Sequence, residues 1–123
     1  MARRTSRWAD RLTAVGSEPD PRFSFANERT FLAWIRTSLA LVAAGVGVDA
    51  FATDVPDWGR RSLAGLLVVL GGVLSVVAFR RWVRSEEALR RSLPLPTNLL
   101  APIIAYGLSI GATLALVLVL LDR

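Results

Sequence analysis

The chain contains no cysteine, no histidine and no lysine. Without cysteine there is no disulfide, no thiol nucleophile and no thiolate metal site. The absence of histidine removes the usual zinc ligands and catalytic triads as well. Carboxylates, serines, threonines and one tyrosine are left as candidate catalytic groups. The acidic residues gather in the polar stretches instead of converging inside an apolar one, so neither an enzyme, nor a cofactor, nor a bound metal is expected. No carboxylate lies centrally in an apolar block, which argues against a proton-driven exporter.

What the sequence has in excess is apolar surface and arginine. Hydrophobic residues make up 53% of the 123 positions, and the mean hydropathy of +0.45 is high for a soluble domain of this length. They fall into three blocks close to the roughly 20 residues a helix needs to cross about 30 Å of hydrocarbon. An all-α integral membrane fold follows, with three transmembrane helices at about 25–51, 60–92 and 98–121. All 15 basic residues are arginine, the net charge is +5 and the pI is near 11.4. Because that charge flanks the spans, membrane topology accounts for it and no nucleic-acid partner is expected.

Residues 1–19, "MARRTSRWADRLTAVGSEP", are basic and lack an apolar run, so they read as a cytoplasmic N-terminal tail and not a signal peptide. The Arg3-Arg4 pair only faintly resembles a twin-arginine signal. A three-helix transmembrane domain then occupies 20–123. Asp20-Pro21 supplies an N-cap followed by proline at the first helical position. "ATDVPDWGRR" is a polar loop after the first span. The second span is apolar from 62 to 79 and continues into water, with Glu86 to Arg90 and Glu87 to Arg91 in the favourable i,i+4 order. Pro94 and Pro96 stop it, and Thr97 or Asn98 caps the third helix.

Orientation follows from the arginines. Eleven flank the N-terminus and the loop after the second span, against three on the other side. The positive-inside rule therefore puts the N-terminus in the cytoplasm of a multi-pass bacterial inner-membrane protein and the C-terminus outside. Phe31, Trp34, Phe79 and Trp82 fall near the inner interface, with Phe51 and Trp58 near the outer one.

On the first span, residues seven apart are displaced by only about 20° around the axis. Arg22, Arg29 and Arg36 form one stripe, continued by Ala43. Beside it run Ala26, Ala33, Ala40 and Gly47, small residues of the kind that let membrane helices approach closely. A seam facing other helices is the expectation. The second span carries Ala64, Gly71 and Ala78 at heptad spacing, and the third carries Gly107, Gly111 and Ala115. Three such seams suggest tight bundling and an oligomer. Arg36 lies about 7 to 8 Å inside hydrocarbon if that begins at Phe31. Either its side chain snorkels to the interface, or Arg29 and Arg36 face a bundle interior or pore, where Glu28, Asn27 or an anion meets them.

The stretch "DPRFSFANERTFLAWIRTSLALVAAGVGV", residues 20–48, resembles the YidH-type family of small bacterial inner-membrane proteins, a domain of unknown function. The same domain is the membrane part of the eukaryotic vacuolar transporter chaperone (VTC) complex. "FANERTFLAW" carries the likeness. In VTC, three-helix domains form a pentamer whose first helices line a polyphosphate channel with basic residues. The resemblance implies that Arg22 and Arg29 match lumen-facing basic residues, that Glu28 matches their acidic neighbour, and that a further basic position falls among Arg80, Arg81 and Arg84. The catalytic and phosphate-sensing domains of VTC have no counterpart here, and Arg36 has no basic counterpart in the VTC helix.

Two functions remain in competition. One is an oligomeric channel or binding subunit for a phosphate-type anion, its candidate residues being Arg22, Asn27, Glu28, Arg29, Arg36, Arg80 and Arg84. The other is a non-transporting scaffold, packed against a partner membrane protein through Ala33, Ala40, Gly47, Gly71, Gly107 and Gly111 and bound to anionic lipids through its arginines.

Overall fold

Asp20 starts the first long helix as the sequence requires. Its Oδ1 accepts the Arg22 backbone N–H at 2.9 Å, and Pro21 occupies the first helical position. In the computed structural model, which describes residues 7–121, four helices follow one another: α1 (Arg7–Thr13), α2 (Pro21–Phe51), α3 (Asp57–Arg91) and α4 (Leu100–Leu121). Arg3, Arg4, Asp122 and Arg123 lie outside the described residues. The last three helices are each long and apolar enough to cross a membrane. The observed bounds differ from expectation by a few residues: α3 begins at Asp57, and α4 begins at Leu100, where the Asn98 side chain accepts the Leu100 N–H at 3.1 Å.

At 1.5 Å per residue α4 measures about 33 Å, close to the hydrocarbon thickness, while α2 and α3 run to about 46 and 52 Å. The surplus projects at one end, where α2 begins, α3 ends and the arginines gather. The other end is the tight turn at residues 52–56. There Arg60 bridges Asp57 at 3.2 Å and Asp49 at 3.8 Å, tying the two helices beside their turn.

α3 is the central element. α2 packs along it on one side and α4 on the other, with no close backbone approach between α2 and α4. Leu41, Leu70, Leu74, Ala78 and Leu100 form the buried cluster between them. Lipid offers no hydrophobic gain for joining two such helices, so close packing and hydrogen bonds must hold them. Both are present. Gly71 lies so near α2 that an added Cβ would come within 2.8 Å of the Ser38 carbonyl oxygen. Gly45 stands in the same relation to the Ala64 carbonyl, also 2.8 Å. The buried Ser38 hydroxyl donates to the Gly71 carbonyl across the seam. On α4, Gly107 meets Leu70 and Gly111 lies against Leu63, Leu66 and Leu67, while Gly59 of α3 receives Leu118.

The seam on α2 is not the alanine ladder that its spacing suggests. Ala26, Ala33 and Ala40 are exposed, and a Cβ at Gly47 would meet nothing within 4 Å. The residues turned toward α3 are Ser24, Asn27, Phe31, Trp34, Ser38, Leu41 and Gly45, an unbroken alternation of threes and fours. On α3 the matching stripe contains Ala64, Gly71 and Ala78 and extends to the buried Ser85. Larger α2 side chains won this face because α3 supplies the small residues opposite them.

From Arg7 onward the basic N-terminal segment also folds. Trp8, Leu12 and Val15 share one face of α1 and the turn after it, and the Trp8 ring lies edge-on to Phe79 and Trp82, each at 5.5 Å between centroids. Arg90 holds the segment from the other side. Its Nε donates to the Val15 carbonyl at 2.8 Å, and its own carbonyl accepts the Ser17 N–H at 3.1 Å. Gly16, at φ +59°, passes so close to the Arg90 carbonyl that no Cβ fits there.

Candidate functional site

Two groups of arginines stand at the charged end of the molecule, and the helices present them in different directions. On α2, Arg36 sits about 180° around the axis from Gly45 and within about 40° of that opposition from Ser38 and Leu41, at 100° per residue. The arginine stripe therefore points directly away from α3. Arg29 and Arg36 are exposed, and neither makes an ion pair or side-chain hydrogen bond among the described residues. Arg22 is also exposed but engaged: its guanidinium reaches Asp20 at 3.2 Å. That contact, reinforced by the Arg22 backbone N–H, holds the Asp20 carboxyl below its ordinary 3.8. Ala33, Ala40 and Gly47 flank the stripe, so the open face of α2 is basic along one line and nearly smooth along the next.

Asn27 is drawn elsewhere. Its Nδ2 donates to the Trp82 carbonyl at 3.1 Å and to Glu86 Oε1 at 3.2 Å, while the Ser24 hydroxyl donates to Glu86 Oε2 at 3.2 Å. Asn27 thus serves the α2–α3 seam and does not face the arginine stripe. Both oxygens of Glu86 are taken by α2, so the expected Glu86–Arg90 pair does not form, and Arg90 is free to hold the N-terminal segment. The parallel Glu87–Arg91 pair does form, at 3.4 Å. Glu28 is exposed and borders a groove with Trp8, Phe31, Leu32, Phe79 and Trp82. It makes no ion pair with Arg29 or Arg36 among the described residues.

On α3, Arg80 and Arg84 line a cleft with Arg81, Val77 and the residues Pro96, Thr97 and Leu99 of the connection to α4. Arg81, unlike its neighbours, is half-buried, and its Nε has no hydrogen-bond partner. Residue spacing alone could not separate it from Arg80 and Arg84. The Glu86 network was missed as well, although Ser24 and Asn27 fall in step with the residues that α2 turns toward α3. Among the described residues no cluster of three or more carboxylates could hold a metal ion.

Three long apolar helices, α3 flanked by α2 and α4, with most of the arginines gathered at one end and a tight turn at the other, define a multi-pass membrane protein. Residues 22–88 match the family model described as "Domain of unknown function (DUF202)". The chain is similar to "Inner membrane protein YidH" of Escherichia coli (strain K12), at 44% identity over 111 residues, covering 89% of this chain and 96% of the relative. The YidH of Shigella flexneri matches to the same degree. It is also similar to "Uncharacterized protein Rv2272" of Mycobacterium tuberculosis, at 41% identity over 108 residues, covering 87% and 88%. The chain belongs to the DUF202 family.

Proposed function

We propose that the protein is an oligomeric anion-binding subunit of channel type in the bacterial inner membrane, with its N-terminus cytoplasmic and its C-terminus outside. The observation that carries this reading is the open face of α2. Arg36 would stand about 7 to 8 Å inside hydrocarbon with no partner among the described residues, where an arginine costs part of the about 2.5 to 3.5 kcal/mol that insertion scales give for the bilayer centre. A second copy packed on Ala33, Ala40 and Gly47 removes that face from lipid without removing it from water. Repeated around an axis, Arg22, Arg29 and Arg36 stack as rings about 10 Å apart, an arrangement suited to phosphate-type polyanions. The likeness to the VTC membrane domain points the same way, and the eleven-to-three distribution of arginines supports the orientation.

Flux from liposomes tests it. Purified protein should release an entrapped inorganic anion, and Arg29→Gln with Arg36→Gln should slow that release at least tenfold. Vesicles that stay tight with the wild-type protein contradict the channel. Copurification of a monomer with one partner membrane protein supports the scaffold instead.

A further inference from the structure

Three arginines at the charged end of α3 have no part in the packing described above. Val77, Arg80, Arg81 and Arg84 occupy positions i, i+3, i+4 and i+7 and so share one helix face. Pro96, Thr97 and Leu99 face them across a cleft of about 160 Å³. The connection carrying those three residues is stiffened by Pro94 and Pro96 and fixed at its far end by the Asn98 cap on Leu100.

The charge in this cleft is unbalanced. The ion pairs among the described residues use Arg22, Arg60 and Arg91, and none involves Arg80, Arg81 or Arg84. Glu86 and Glu87, the next carboxylates along α3, are committed to α2 and to Arg91. Like charges on one helix face repel, and the buried Arg81 Nε carries a desolvation cost that only an acceptor can relieve. The apolar run of α3 ends at Phe79, immediately before Arg80, so the cleft lies where lipid headgroups meet hydrocarbon.

The geometry points to a phosphate-binding cleft whose ligand is the headgroup phosphate of an anionic phospholipid. Guanidinium forks match phosphate oxygens two at a time, the Thr97 hydroxyl can add a donor, and Val77 with Leu99 presents apolar surface to the start of the acyl chains. The cleft lies between α3 and the α4 connection, whereas the α2 stripe points away from α3. The two sites can fail independently, and this one requires no oligomer.

Native mass spectrometry of the full chain with phosphatidylglycerol, phosphatidylcholine or inorganic phosphate tests the assignment. The wild type should retain phosphatidylglycerol in preference to phosphatidylcholine. The double variant Arg81→Gln with Arg84→Gln should retain phosphatidylglycerol less by on the order of twentyfold, with phosphatidylcholine unchanged. Arg61→Gln, at the opposite end of α3, should behave as wild type. Circular dichroism checks the fold, and if the double variant is unfolded, Thr97→Phe should displace the same lipid by filling the cleft without altering charge. Equal retention of phosphatidylglycerol by wild type and folded variants overturns the site. Displacement of the lipid by millimolar phosphate overturns the lipid assignment in favour of the free anion.

Discussion

Replacing Gly71 by alanine perturbs one of the two places, with Gly45, where a glycine lets the α2 and α3 backbones touch. The new Cβ would fall 2.6 Å from Val42 Cγ2 and 2.8 Å from the Ser38 carbonyl oxygen. A valine methyl can rotate aside, but a helix carbonyl cannot. The helices must part by about 0.6 Å to reach ordinary contact, and that movement also stretches the Ser38–Gly71 hydrogen bond. Overpacking of this kind costs about 1–3 kcal/mol, and an interhelical bond in lipid contributes about 0.6 on average. Alanine returns roughly 0.5–1 kcal/mol through better helix propensity. The net expectation is a loss of about 1–2 kcal/mol. Gly72 and Gly65 sit on the same helix, and a Cβ at either would meet nothing within 4 Å. Their alanine variants should be neutral or slightly stabilised. Reversible unfolding in mixed micelles, followed by tryptophan fluorescence, measures all three. Equal stability of Gly71→Ala and Gly72→Ala would refute the close approach as the basis of the α2–α3 seam.

Asn27→Leu should destabilise the same hairpin by about 1–3 kcal/mol, because it leaves Glu86 short of a donor in a partly buried place, and the unfolding assay above reads it. Trp8→Ala should release α1 from Phe79 and Trp82, removing about 0.5–1.5 kcal/mol beyond lost area; faster tryptic cleavage after Arg11 would report it. Asp20 has a lowered folded pKa, so its capping contribution is present above its ordinary 3.8 and is lost as pH falls through the lower folded value. Amide exchange at residues 22–24 should therefore rise only in acid, and Asp20→Asn should abolish that pH dependence.

Much of the architecture is legible in the sequence because lipid imposes lengths and segregates charge. The three spans, the Asp20-Pro21 start and the Asn98 cap all follow from local chemistry. The choice of face on α2 does not. Ala33, Ala40 and Gly47 have the spacing of a packing stripe, but α3 brings its own small residues, Ala64, Gly71 and Ala78, and so accepts Phe31, Trp34 and Leu41. Which helix contributes the bulk is decided by the pair and is invisible in either alone. The fate of Glu86 illustrates a second limit: i,i+4 spacing offers it Arg90, whereas tertiary packing brings Ser24 and Asn27 to both its oxygens. The docked α1 was hidden by charge, since Arg7, Asp10 and Arg11 obscure a face of only Trp8, Leu12 and Val15.

Ala43 continues the arginine stripe one heptad beyond Arg36, and the chain has no native cysteine, so Ala43→Cys introduces a single thiol. A charged, membrane-impermeant thiol reagent can modify it only if water reaches that face, because the thiolate is the reactive form. The proposed lumen predicts rapid modification of Ala43→Cys, slowed by an added polyanion, while Ile110→Cys on the exposed face of α4 stays unreactive. Modification of Ala43→Cys as slow as that of Ile110→Cys would place the stripe in lipid and contradict the channel.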